Sequence, residues 1–165
     1  EPHHAWVAVQ EDQVVGFLTG CVDTQAYKRV LLRKIIPRLL LRVALLRYRM
    51  GRKTWVYVAR MARAYLWPGS QEPDLSGYPA HLHINVLPQA RGQGLGGQLI
   101  SAYLQQLAAL KIGGVHLHTT SYNRPACHLY ERMGFSIIHA HPITAWKQWI
   151  AEPVEARTYA RRIQN

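Results

Sequence analysis

The chain has 165 residues, 48% of them hydrophobic, which suits one folded domain with a core of its own and excludes a disordered segment. Its net charge of +11 is not spread evenly: no acidic residue lies between Asp23 and Glu72, and that stretch holds 12 of the 20 Lys and Arg side chains. The paucity of Cys motifs excludes more. There is no pair of CxxC motifs and no HExxH, so no metal is expected, and Cys21 and Cys127 read as separate thiols of a reducing, cytoplasmic compartment.

Glu1 to Gln10 lacks the basic start and apolar run of a secretory signal. Trp6 to Val9 and Val14 to Cys21 read as two strands of a β-hairpin around the polar turn Gln10-Glu11-Asp12-Gln13, with no Asn-Gly or Asp-Gly to fix the turn. Tyr27 to Met50 reads as helix, with Leu31, Ile35, Leu39 and Leu46 on or near one face and Lys34, Arg38, Arg42 and Arg49 on another. Pro37 either kinks it or starts a second helix, and Gly51-Arg52 is expected to end it. Arg33, Lys34, Arg38 and Arg42 cut every apolar run well short of the ~18 residues of a membrane span. Trp55 to Trp67 reads as a further helix and Pro68 to Gly77 as a loop.

His81 to Leu87 alternates as a strand, with His81, His83 and Asn85 on one side and Leu82, Ile84 and Val86 on the other, and Pro88 ends it. Leu95, Leu99, Tyr103, Leu107 and Leu110 follow helical spacing up to Gly113-Gly114, the expected helix stop. Val115 to Thr119 reads as a strand and Asn123 to Met133 as a helix with Pro125 in its first turn and Gly134 at its end. Phe135 to His139 is expected as a strand, Ala145 to Ile150 as a helical turn and Val154 to Ile163 as a last strand. This order implies α/β architecture around a mixed sheet.

Between the strand ending at Leu87 and the helix starting near Leu95 lies Arg91-Gly92-Gln93-Gly94-Leu95-Gly96. Gly92, Gly94 and Gly96 let backbone amides approach an anion, the helix start adds unpaired N–H groups and a positive dipole end, and Arg91 adds charge. Together they read as a pyrophosphate seat. A dinucleotide fingerprint fits less well: the glycine spacing differs, and no acidic residue lies ~20 positions on, where Lys111 to His118 stand.

The run Asn123-Arg124-Pro125-Ala126-Cys127-His128-Leu129-Tyr130-Glu131-Arg132-Met133-Gly134-Phe135 resembles the signature that follows the cofactor strand in the GNAT (Gcn5-related) N-acetyltransferases: Asn, then Ala, then Leu-Tyr-Glu, then Gly-Phe. More narrowly, Tyr78-Pro79-Ala80-His81-Leu82-His83-Ile84 with Leu87-Pro88 resembles the acetyltransferase-like domains related to protein O-GlcNAcase, as do Trp6-Val7-Ala8-Val9, Val15-Gly16-Phe17, Asp23-Thr24 and the tail Val154 to Tyr159. The likeness is weak or absent over Tyr27 to Gln71.

The resemblance implies a single GNAT domain over 1–165: a hairpin at 5–23, a basic helical insertion at 24–77, an acetyl-CoA-binding core at 78–142 and a terminal turn and strand at 143–165. The family's usual first strand and helices would then be missing, and Asn85 stands where the narrower group usually has Asp, replacing a proton acceptor by an amide. It implies that backbone groups of Ile84, Asn85 and Val86 pair with the pantetheine arm, that Arg91, Gly92, Gln93, Gly94, Leu95, Gly96 and Gly97 hold the pyrophosphate, that Asn123 contacts the cofactor and that Tyr130 points at the sulfur. Transfer to a neutral amine would be direct, with Tyr130 protonating the thiolate as a phenol of reference pKa ~10. His118 stands where several such enzymes carry Glu, and an imidazole of reference pKa ~6.5 suits proton removal; His83 and His81 on the previous strand are rivals, and His116 shares a face with His118. No metal takes part.

Three functions follow: an acetyl-CoA-dependent N-acetyltransferase acting on an amine not specified by the sequence, an acyl-CoA-binding module without turnover, and an adaptor. The segment 28–63 reads as a solvated cationic face, a lid, a homodimer contact or a surface for nucleic acid or anionic membrane.

Overall fold

In the computed structural model of the chain, which describes residues 2–45, 47–48, 51–66, 73–143 and 152–163, six strands form one sheet. They are β1 (Ala5–Gln10), β2 (Gln13–Cys21), β3 (Ala80–Val86), β4 (Gly114–Thr120), β5 (Ser136–Pro142) and β6 (Glu155–Arg162), arranged β1-β2-β3-β4-β6-β5. Every neighbouring pair is antiparallel except β3 with β4, so the sheet is mixed, as the element order implies. The helices are α1 (Thr24–Val30), α2 (Ile36–Ala44), α3 (Arg52–Leu66), α4 (Leu95–Ala109) and α5 (Arg124–Arg132). Two units make up the chain, Glu1–Thr24 with Pro73–Asn165 and, separately, Gln25–Glu72.

In the first unit the hairpin turns on Glu11 and Asp12, both at positive φ (+47° and +59°). A two-residue turn with both residues left-handed matches the twist of the strands, so the geometry forms here without the glycine that usually eases it. The core gathers Leu18 of β2, Ala80 and Leu82 of β3, Val115 and Leu117 of β4 and Tyr159 of β6 beneath Leu99, Ile100, Tyr103 and Leu107 of α4 and Tyr130 of α5. Tyr103 is fully buried, and a Cβ on Gly20 would lie 2.4 Å from its ring. Its hydroxyl lies 2.9 Å from Cys21 O and 3.1 Å from His81 O, so one phenol serves two neighbouring strands.

Several boundaries differ from the sequence reading. The double glycine does not close α4: the helix ends at Ala109, Lys111 takes the positive φ (+55°), and Gly114 opens β4. A Cβ on Gly114 would lie 2.5 Å from Gly77 O, so that glycine serves close backbone packing. Phe135 precedes β5, which runs on to Pro142. The expected turn over 145–150 lies outside the described residues, as do Met50, Trp67 and part of the loop after it.

The second unit is not one helix from Tyr27. After α1, Leu31–Ile35 is a π-helical stretch in which Ile36 N–H bonds to Leu31 O, five residues back. Pro37 then stands at the start of α2. Having no N–H, it cannot close the bond a continuous helix needs at that point, and the chain begins a second helix. Gly51-Arg52 does not end a helix but starts α3: Thr54 and Trp55 N–H both bond to Gly51 O.

Candidate active site

The sheet has an opening. β3 and β4 pair only at Ala80↔Val115 and His81↔His116. Beyond those residues β3 continues along β2 and β4 continues along β6. Leu87 N–H donates to Val15 O at 2.8 Å. By the alternation of an antiparallel ladder, the backbone groups of His83 and Asn85 therefore face β2, while those of Ile84 and Val86 face the opening. Arg91 Nε donates to Val86 O at 3.0 Å. The open edge of β3 thus presents Ile84 N–H, Ile84 C=O and Val86 N–H; Asn85 adds an exposed side chain, not a backbone pair.

The glycine loop follows directly. Gly92 and Gly94 have φ of +79° and +80°, and a Cβ on either would meet nothing within 4 Å, so their requirement is conformational. Gly94 caps α4, whose first bond there runs from Gln98 N–H to Gly94 O at 3.1 Å. The N–H groups of Leu95, Gly96 and Gly97 have no acceptor upstream in the helix. Gly96 serves packing instead: a Cβ there would lie 2.9 Å from Leu129 Cδ2, so its absence lets α5 close on the start of α4. Arg91, Gly92, Gln93 and Gly94 are exposed. Exposed amides at a helix start, beside a cation, fit a diphosphate.

Tyr130 lies on the helix-covered face of the sheet. It is 6% exposed and packs on the rings of Tyr159 (5.7 Å) and Phe135 (6.1 Å). Burial, with a smaller contribution from neighbouring Cys127, pushes its phenol up to about 12. Among the described residues none accepts a hydrogen bond from it, whereas Tyr159 donates to Glu131 Oε1 at 2.9 Å. Asn123 caps α5 through its backbone: its N–H reaches Thr120 O and its O accepts from Cys127 N–H, both at 3.0 Å. Its exposed side chain makes no capping bond.

The histidines occupy the other face. Cross-strand partners share a face; Leu117 pairs with Tyr159 on the core side, so His118 and Thr158 point away from it. His81, His116 and His118 form a row, with ring centroids 5.8 and 5.5 Å apart. His116 is buried and its Nδ1 lies 2.8 Å from Tyr78 O, which can only accept, so Nδ1 carries the proton. Thr24 Oγ1 gives its proton to Pro79 O (2.7 Å), so His81 Nδ1 donates to Thr24 (2.8 Å). His118 is exposed, with Nδ1 3.1 Å from Thr158 Oγ1. Two residues past the last β3–β4 pair, His83 and His118 stand level on opposite sides of the opening, and His83 tilts against Phe17 at 6.4 Å. Among the described residues no three His, Cys, Asp or Glu are grouped to hold a metal ion.

The family's sequence model, described as "Acetyltransferase (GNAT) family", matches residues 42–135, more than half of the chain. The chain belongs to the GNAT acetyltransferase family. It is 44% identical over 62 residues to a mycothiol acetyltransferase of Corynebacterium aurimucosum, covering 38% of this chain and 20% of that protein. With the mycothiol acetyltransferase of Corynebacterium kroppenstedtii the figures are 38% over 64 residues, 39% and 17%. The chain thus spans about a fifth of the length of these curated relatives. Among solved structures, SsHAT superposes with a TM-score of 0.68 at 28% identity, over 100% of this chain and 75% of that one. A putative streptothricin acetyltransferase from Bacillus anthracis, solved with acetyl coenzyme A, superposes with a TM-score of 0.54 at 16% identity, over 96% and 61%, which shows the shared GNAT fold.

Two features of this GNAT site escape the sequence. Arg91 reads as a charge at the edge of an anion seat, yet it also occupies the last carbonyl of β3. Thr158, the buried partner of His118, gives no local signal, because it is placed only by the pairing of β4 with a strand 40 residues away. A cavity of about 500 Å³ opens on another side of α5, lined by Ser121, Cys127, Glu131 and Arg157 among others, and includes neither the glycine loop nor Tyr130, His83 or His118.

Proposed function

We propose that the chain transfers an acetyl group from acetyl-CoA to a primary amine by direct attack. The observation that carries this reading is the juxtaposition of an open strand edge, Ile84 to Val86, with a glycine-lined helix start eight residues further on. The co-substrate supplies the thioester. Ile84 and Val86 hold its pantetheine arm as an added strand would be held, Gly92 to Gly97 with Arg91 hold the diphosphate, and Asn123 offers its amide side chain.

The two faces of the sheet divide the proton work. On the histidine face, His118 or His83 takes the proton released by the attacking amine. The Val86 or Ile84 amide holds the charge that develops on the carbonyl oxygen. From the core face, Tyr130 gives its proton to the departing sulfur. Replacing His118 and His83 separately by Ala, then following amine-dependent thiol release against pH, tests the base: loss of the acidic limb in one variant identifies it, and unchanged profiles in both end the proposal.

The acceptor is argued only as an amine. The mycothiol acetyltransferases share 38–44% identity over 38–39% of the chain, which supports acetyl transfer and leaves the acceptor open. The narrower likeness to O-GlcNAcase-related domains rests on the motif residues Tyr78 to Ile84 and Leu87-Pro88. The buried thiols Cys21 and Cys127, not joined in a disulfide, suit a cytoplasmic setting. A second reading, a module that binds acyl-CoA without turnover, is favoured by Asn85, whose amide cannot act as a base. Acetyl-CoA uptake without thiol release from any of a panel of amines would select it.

A further inference from the structure

The segment after Asp23 is unlike the rest of the chain in both charge and exposure. From residue 24 to residue 71 there are 12 Lys and Arg and no Asp or Glu, so no carboxylate of its own neutralises it. Its apolar side chains are not withdrawn from solvent. Leu40 is 61% exposed, Leu41 60%, Leu45 62% and Trp55 50%, and Leu39 and Tyr57 are also exposed.

Along α2 the apolar side chains other than Leu41 are set apart from the cations. At 100° per residue, Ile36, Leu39, Leu40 and Val43 of α2 fall on one face, while Arg38 and Arg42 fall on the opposite one. Further along the chain, α3 begins with Arg52 and Lys53 and then carries Trp55, whose side chain suits a boundary between water and hydrocarbon.

We propose that this segment is an interfacial anchor, whose amphipathic cationic helices lie in the headgroup region of an anionic lipid surface. The charges supply attraction to acidic headgroups, and the exposed leucines supply the apolar insertion that makes it more than a counterion effect. A nucleic acid would satisfy the cations but leave Leu39 and Leu40 in water. A second copy of the chain would bring two uncompensated cationic patches together. Among the described residues no helix is long and apolar enough to cross a membrane, so the mode is surface binding by this segment.

The test is co-sedimentation of the full chain with vesicles of phosphatidylcholine alone and vesicles containing one third phosphatidylserine. The anchor predicts at least tenfold stronger partitioning onto the anionic vesicles, with a blue shift of tryptophan emission. It predicts a loss of about twenty-five-fold in the Arg38→Gln/Arg42→Gln variant, at about fivefold per cation. The Leu39→Ser/Leu40→Ser variant, checked for folding by circular dichroism, is expected to lose binding even at low salt. Equal partitioning onto both vesicles overturns the proposal. So does a Leu39→Ser/Leu40→Ser variant that binds like the parent, or full displacement by duplex DNA with no emission shift on vesicles, which would assign the cations to nucleic acid. If the Leu variant does not fold, the salt dependence and emission shift of the unaltered chain decide the matter alone.

Discussion

Burial at Tyr130 disfavours the phenolate and keeps the proton available for transfer well above the ordinary phenol range. Tyr130→Phe is expected to lower the rate of amine-dependent thiol release by about 10²–10⁴ while leaving acetyl-CoA affinity within twofold, as measured by steady-state kinetics and calorimetry. The same shift has a consequence for stability. A folded-state pKa raised to about 12 contributes stability that is fully present below pH ~10 and is lost as pH rises from ~10 to ~12. Denaturant midpoints should fall across that window, and fall less in Tyr130→Phe; equal slopes would mean the phenol is not held protonated by the fold. At this scale the sequence is informative where a side chain acts within its own motif, as Tyr130 does. It is silent where the partner is set by tertiary pairing, as with Thr158 beside His118 and Thr24 beside His81.

At the scale of elements, glycine does two different jobs, and different measurements separate them. Gly94 is needed for its left-handed φ, so Gly94→Ala should cost about 1–2 kcal/mol in stability and weaken acetyl-CoA binding, because the cap would rotate the first N–H groups of α4. Gly20 is needed for space, since Tyr103 occupies the place of its Cβ. Gly20→Ala should cost about 1–3 kcal/mol by overpacking, read from urea unfolding, with no effect on the glycine loop. Strands and α5 are legible because hydrophobic period and caps agree there. The stop of α4 is not: the helix closes before the glycines, through Ile112 N–H on Leu107 O, so Lys111 takes the left-handed conformation expected of Gly113, and Gly114 serves close packing against Gly77. Nor does periodicity show the break at Pro37, since the apolar stripe runs on through the π-helical stretch.

For the whole molecule, the order strand, glycine loop, helix, strand, helix, strand is enough to read an α/β fold. The parting of β3 from β4 is not in that order. It emerges only because β4 takes β6 as its antiparallel partner over its whole length, while β3 keeps β2. Everything proposed for the site depends on that parting and on the loop beside it. Titration calorimetry of the chain with acetyl-CoA tests it most directly. One site per chain is predicted, with affinity weakened at least tenfold in Gly94→Ala and in a ligand lacking the diphosphate. Absence of binding, or binding indifferent to both changes, would contradict the account.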